Sequence, residues 1–384
     1  MVNILNIGFI DCAGVMSKWK RLFDKYSKKY TMRNLVELKS GLNYEIDLVQ
    51  NSLYLKEIIA KTDIFIFHPI IKRGWVADKI INDGVDSKIC GINWKECTKG
   101  KKVFALLHGS TNLRTFKQQY TKTLQEQYER IFCTTPDLKQ LFPFTEYIPV
   151  PLDLNKEIYK SAKPRNKSNK GEIIIHHYPT DKAIKNTREF EEVCNELKKD
   201  YPKLKFKTIT NMTNPQVIED KKKIHLCFDH MQGYYGVNTL EAAAVGAVPL
   251  VGISKINSKI IKETINVKDI PFELVRTKEE LKNTIKYYLD NPEEIKIMSK
   301  KNLEWMKKKW SPNVFYKMIE KQLTKKIKKN KDMLSIVMAT CNRRENLRNA
   351  MYSIVNQDIP IPHELVIIDD GSTDGTKEMI EKFK

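Results

Sequence analysis

No two of the seven cysteines are spaced Cys-x-x-Cys, and they follow no regular interval. So sparse and irregular a set excludes a disulfide framework and points to reduced thiols in a cytoplasmic setting. There is no signal-peptide pattern, and no apolar run approaches the roughly 20 residues that span a bilayer. Any membrane contact is therefore expected to be peripheral. Acidic residues are also short: 47 Asp and Glu face 67 Lys and Arg in 384 residues, a net charge of +20. Half of that excess lies between Lys296 and Asp332, where thirteen lysines face only Glu304, Glu320 and Asp332. A basic segment of this kind suits an anionic surface, including an anionic membrane as a peripheral partner, and a solvated lysine face accounts for it equally well. Aromatic side chains there (Trp305, Trp310, Phe315, Tyr316) fit helix packing better than base stacking, so no nucleic-acid partner is expected.

What the chain does have is alternation. An apolar segment at Ile224–Phe228 leads to a glycine turn at Gly233–Gly236. A small-residue helix follows from Val237 to Val245, then Gly246 and a strand at Val248–Val251. Strand, glycine turn, helix, glycine and strand make one βαβ unit, whose helix N-terminus attracts anions through free N–H groups and the helix dipole. Glu241 is the only charged residue on that helix.

The same plan opens the chain. Asn3–Ile10 reads as a buried strand, Asp11–Gly14 as a loop and Val15–Tyr26 as a helix. Strands are expected at Asn34–Leu38, Asp63–Phe67, Val103–Leu107 and Arg130–Cys133, with helices at Ser52–Ala60 and Thr115–Tyr128 between them. His108 follows a strand's carboxyl end, where open α/β sheets bind ligands, although a capped loop histidine would occupy the same place. Two prolines bar Ile148–Asp153 from a central strand. The polar run Lys160–Gly171 marks a domain boundary.

Beyond that boundary come strands at Glu172–His176 and Phe206–Ile209 and a helix at Thr187–Lys198. Further helices are expected at Lys278–Leu289, Glu293–Lys308 and Pro312–Ile327. Val314, Phe315, Met318, Ile319, Leu323 and Ile327 are expected to line one face of the last. After a basic linker at 328–333, Leu334–Met338 and Glu364–Ile368 read as strands flanking a helix at Glu345–Val355. Two strands in about 50 residues are too few to close a core of this class, so apolar faces should stay open.

Several strings taken in order carry a resemblance: His108-Gly109-Ser110, Thr135-Pro136-Asp137, IPVPLD at Ile148–Asp153, HHYPTDKAIKNT at His176–Thr187, GYYGVNTLEAAAVGAVPLV at Gly233–Val251, and Trp310-Ser311-Pro312. Together they resemble retaining glycosyltransferases of the GT-B fold. The resemblance implies an α/β chain with two Rossmann-like domains facing a cleft: an acceptor-side domain at 1–153 and a nucleotide-sugar domain at 172–327, whose closing helix crosses back to the first. It implies a UDP- or GDP-sugar donor, a glycan, lipid-linked or protein acceptor, and no required cofactor or metal.

The site residues follow from that resemblance. Glu241 would accept the ribose hydroxyls, a task suited to an ionised carboxylate. Lys185 would offset charge on the departing diphosphate, and His108 would lie near the transferred sugar. Gly14, Lys182, Gln232, Gly233, Tyr235, Gly236, Val237 and Asn238 would bind the donor. Three positions depart from the family pattern. Gly233 stands where a Glu is usual, with Asp229 and Gln232 as neighbouring polar candidates. Lys185-Asn186 replaces Lys-Gly, and Lys182 stands where Arg is usual. A non-catalytic donor-binding or scaffold module is the alternative that Gly233 raises.

Residues Ser335–Thr376 resemble the start of a GT-A family-two glycosyltransferase. That implies an incomplete α/β fragment at 334–384 with half of a nucleotide site at Thr340, Asn342, Arg343, Asp369 and Asp370. The family's later Asp-x-Asp metal site has no counterpart anywhere in the sequence. The fragment is therefore expected to add nothing to catalysis by residues 1–331.

Overall fold

A computed structural model of the chain describes residues 1–9, 11, 14–38, 47–69, 89–109, 113–114, 117–166, 171–325, 334–357 and 363–382. The expected linker at 328–333 and Ser110 lie outside the described residues. The chain forms two compact units, Met1–Lys325 and Lys326–Lys384.

The first unit holds two parallel sheets. One is built from β1 (Val2–Gly8), β2 (Tyr30–Val36), β3 (Ile64–His68), β4 (Lys102–Leu107), β5 (Arg130–Cys133) and β6 (Glu146–Tyr147), in the order β2-β1-β3-β4-β5-β6. The other uses β7 (Ile173–His177), β8 (Leu204–Thr208), β9 (Leu226–Phe228), β10 (Val248–Val251) and β11 (Glu273–Leu274), in the order β11-β10-β9-β7-β8. The runs of Ile, Val, Leu and Phe expected for strands covered on both faces are fully buried in β3, β5, β9 and β10. In each sheet the strand order reverses beside the first strand, between β1 and β3 and between β7 and β9. Loops leaving the carboxyl ends at such a reversal splay apart and leave a crevice.

The helices Val15–Tyr26 and Val237–Val245 and the strand Val248–Val251 have the bounds read from sequence. The small residues of Val237–Val245 serve close packing: every residue from Thr239 to Val245 is buried. Gly246 ends that helix at φ 86°, and a Cβ there would stand 2.6 Å from the Lys163 carbonyl, so only glycine fits. Among the described residues, two helices of eight or more residues escaped the sequence reading, Asn214–Lys221 and Lys255–Ile265. The first is short and polar, with Pro215 in its first turn and a Thr213/Gln216 capping box.

The last helix of the unit, Pro312–Thr324, packs against the first domain. Tyr316 meets Phe23 edge-on at 5.4 Å, and Trp310 Nε1 donates to the Val150 carbonyl at 3.1 Å. Its buried face is Phe315, Tyr316, Ile319 and Leu323. This corrects the expected face: Val314 is 37 % exposed, because its neighbours 315 and 316 share the inward side with 319 and 323. Ile327 lies outside the described residues.

The second unit pairs β12 (Leu334–Thr340) with β13 (His363–Asp369) in parallel. Leu347, Met351 and Met379 from its helices cover one face, against Met338, Leu365 and Ile367. The alternate residues Val337, Val366 and Ile368 point the other way and stay exposed, as two strands with one covered face require. Among the described residues no helix is long and apolar enough to cross a membrane.

Candidate functional site

The loops at the two strand reversals carry the polar side chains. After β7, Lys185 and Asn186 begin the helix Thr187–Asp200. Asn186 adopts φ 54°, a left-handed conformation that Asn, like Gly, takes at little cost, so Asn in place of Gly preserves this turn. Its Oδ1 accepts from the Met231 N–H at 2.9 Å and ties the loop to the one after β9. Lys185 Nζ reaches to 3.9 Å from Asp229 Oδ1. Burial lowers the Lys185 pKa and the neighbouring Arg114 adds to that, with Asp229 opposing them. Lys182, three residues earlier, is exposed.

Asp229 is spoken for within the fold. Its Oδ2 accepts from the Gly236 N–H at 2.9 Å and from Thr239 Oγ1 at 2.6 Å. Burial pushes its carboxyl up, but His230, Lys185 and these hydrogen bonds more than offset that and hold it well below the usual carboxylate range. A Cβ on residue 236 would stand 2.9 Å from that oxygen, so the close approach demands glycine. The first domain repeats the device. Asp11 accepts from the Met16 and Ser17 N–H groups at 2.8 and 2.9 Å, capping the helix that follows Gly14. The helix N-terminus read from sequence as an anion site and its counterpart in the first domain thus each carry an internal carboxylate. Val237 and Asn238, next in line, keep the first-turn N–H groups that a helix leaves unpaired.

Gln232 is exposed and donates from Nε2 to the Ile184 carbonyl at 2.8 Å. Gly233 adopts φ 86°, and its carbonyl accepts from Asn257 Nδ2 and Ser254 N. Tyr235 turns its side chain inward. It is 3 % exposed, its ring packs on Phe272 and Trp310, and its hydroxyl meets that of Tyr147 in the first domain.

Glu241 is buried on the helix after the turn. Its Oε2 lies 2.7 Å from Lys221 Nζ and its Oε1 accepts from Asn214 Nδ2 at 2.8 Å. Lys221 is wholly buried, with its ammonium 5.3 Å above the Tyr178 ring. Neither partner was foreseen. Lys221 is one of three consecutive lysines, and only the capping box at Thr213 marked its helix in the sequence. Lys18, from the first domain, stands within electrostatic reach of Glu241; burial lowers its pKa to about 8, against the opposing pull of Glu241 and Asp11.

On the first sheet, His108 follows β4. It is 5 % exposed and stacks on His68 at the end of β3, with His68 Nδ1 and His108 Nε2 2.9 Å apart. Burial lowers the His108 pKa to about 4, so the ring is neutral at physiological pH. The adjoining Gly109 carbonyl accepts from Arg114 Nη1 at 2.7 Å, and Arg114 Nε donates to Asp137 Oδ2 at 2.6 Å. The guanidinium lies 4.3 Å above the Tyr234 ring, and Lys185 lies 6.0 Å from the same ring. Arg114 and Tyr234, both missed in the sequence, therefore join the His108 loop to the glycine turn and to Lys185. Among the described residues no three His, Cys, Asp or Glu side chains gather as a metal site.

In the second unit, the turns after β12 and β13 are stitched together. Asn342 Oδ1 accepts from the Thr373 N–H at 2.7 Å, and the Asn342 N–H donates to Ser372 Oγ at 2.8 Å. Asp369 accepts from Ser372, Thr340 is buried, and Arg343 and Asp370 are exposed.

Two paired Rossmann-like sheets with a crossing closing helix match solved structures along nearly their whole lengths. One is Anabaena Alr3699/HepE in complex with UDP and glucose: 11% identity, 84% of this chain and 100% of that one, TM-score 0.56. Another is an alpha-glucosyltransferase in complex with UDP-glucose and DNA containing an abasic site: 13% identity, 84% and 99%, TM-score 0.56. A third is a glycosyltransferase from Rickettsia africae ESF-5: 13% identity, 86% and 99%, TM-score 0.55. The fold is that of a GT-B glycosyltransferase. Residues 335–384 match the family model of glycosyl transferase family 2. The chain thus joins a GT-B body to a GT-A-like fragment.

Proposed function

We propose that residues 1–325 transfer a sugar from a nucleotide-sugar donor to a glycan, lipid-linked or protein acceptor, with retention of anomeric configuration. One juxtaposition supports the reading. Arg114, bonded to the Gly109 carbonyl beside His108 on the first sheet, and Lys185 from the second meet at the Tyr234 ring, at the carboxyl ends of both sheets. In this reading Lys185 offsets charge on the leaving diphosphate, Glu241 accepts the ribose hydroxyls, and His108 lies against the sugar. The donor is a UDP- or GDP-sugar. UDP is the first candidate because Anabaena HepE and the alpha-glucosyltransferase were solved with UDP or UDP-glucose bound. The half-site of the second unit, around Asp369 and Asp370, takes no part.

The test is to incubate the protein with UDP-glucose, UDP-N-acetylglucosamine and GDP-mannose, follow release of UDP or GDP, and read the anomeric configuration of any product by NMR. Release of nucleotide with a retained linkage supports the reading, whereas an inverted linkage removes the retaining mechanism.

A second reading, a donor-binding scaffold without turnover, is favoured by one observation. Gly233 supplies no carboxylate, Asp229 is committed to Gly236 and Thr239, and Gln232 is committed to Ile184. A scaffold binds donor, stabilises against melting, and releases no nucleotide.

A further inference from the structure

Three adjacent strands of the first sheet, and the residue just beyond a fourth, each contribute one buried polar side chain to a single line. Asn34 on β2, Asn6 on β1 and His68 on β3 lead to His108 after β4; their exposures are 4, 0, 0 and 5 %. Asn6 Nδ2 donates to Asn34 Oδ1 at 2.8 Å. That orientation turns Asn6 Oδ1, an acceptor only, toward His68 Nε2 at 3.4 Å. His68 Nε2 must then carry the proton, which leaves Nδ1 as a bare acceptor facing His108 Nε2 at 2.9 Å. The His108 proton accordingly sits on Nε2, and its Nδ1 keeps a lone pair. Neutral rings are required for this alternation, and burial lowers the pKa of both.

Such a line is costly for a sheet interior, where an aliphatic side chain would pack without needing partners. Its chemical consequence is a fixed direction. Each member dictates the role of the next, and only the last lies beyond a strand end.

We propose that His68 is a positioning residue that holds His108 in the Nε2–H tautomer, so that His108 Nδ1 accepts a hydrogen bond from a hydroxyl of the transferred sugar. The second half of this statement rests on the placement of His108 under Proposed function; the first does not. The opposite tautomer would present an N–H and favour a substrate acceptor group instead.

The decisive measurement is nitrogen-15 NMR of the histidine rings in the full chain at neutral pH, with His108 assigned by loss of its signals in His108→Gln. A protonated Nε2 and bare Nδ1 at His108 are expected, and a protonated Nδ1 overturns the proposal without any variant. His68→Gln keeps an acceptor oxygen and should preserve the tautomer, whereas His68→Leu should let both tautomers appear. If His68→Leu leaves the tautomer unchanged in a folded protein, His68 does not position it. Binding is read in parallel with UDP-glucose and UDP. His68→Leu should weaken UDP-glucose roughly fivefold to tenfold, the scale of one hydrogen bond, and leave UDP unchanged, with recovery in His68→Gln. If the tautomer is as stated but His68→Leu weakens UDP-glucose and UDP equally, the placement of His108 against the sugar falls and the positioning role stands.

Discussion

The hydroxyls of Tyr147, at the end of β6, and Tyr235, in the glycine turn, share a buried hydrogen bond between the two sheets of the GT-B body. Burial raises both phenol pKa values, so the pair stays neutral and one hydroxyl donates to the other. Tyr235→Phe removes one partner and leaves the other hydroxyl buried and unsatisfied. The expected cost is about 1–3 kcal/mol in urea denaturation. The double variant with Tyr147→Phe should cost less than the sum of the single changes, because no orphan remains.

Glu241 cannot be probed by simple truncation. Glu241→Ala leaves Lys221 as an uncompensated charge in a wholly buried place, and breaking such a pair costs about 3–5 kcal/mol. Read from sequence alone, the same substitution would spare the fold and weaken only the donor. Glu241→Ala combined with Lys221→Met should recover much of the stability while donor affinity stays low. Recovery of UDP affinity in the double variant would remove Glu241 from the ribose site.

Acid should unfold this protein early. Six of its seven histidines are buried, and each has its pKa lowered by burial. For His108 the folded value of about 4 lies below the roughly 6.5 of an unfolded chain. Between those values the unfolded state binds more protons, so stability falls as pH drops from 6.5 to 4. His108→Gln removes that share. Its loss of stability between pH 7 and pH 5 should be smaller than wild type's by about 2 kcal/mol, measured by urea denaturation at both pH values.

Lys185→Ala should lower turnover more than it weakens donor binding if the ammonium stabilises the leaving diphosphate. Steady-state kinetics with whichever nucleotide sugar supports nucleotide release separates the two. An effect confined to KM would mean that Lys185 only anchors phosphate.

A chain ending at Lys325 should keep the melting temperature and donor turnover of the GT-B body. The second unit's core is made of its own Leu347, Met351 and Met379, and among the described residues its strands pair only with each other. Loss of turnover on that cut would show that the fragment contributes to catalysis.

Much of this was legible in the residues. Alternating apolar runs and helical periods located most strands and helices of the GT-B body, because local spacing alone dictates which face of an element is apolar. His108 could be named because it follows a strand end and Glu241 because it is the lone charge on its helix, whereas Lys185 was named only through the resemblance. What local spacing cannot show is a partner brought in from far along the chain. Lys221 reaches Glu241 from a helix with little apolar signal, Arg114 reaches Tyr234 from the other sheet, and Asn34, Asn6 and His68 reach His108 only because β2, β1, β3 and β4 lie side by side. The sequence by itself determined the α/β plan and the positions of the glycine turns. The tertiary structure alone decided which of those groups are free to act. A helix start attracts an external anion through its free amides unless a carboxylate of the chain folds back and takes that place, as Asp11 and Asp229 do.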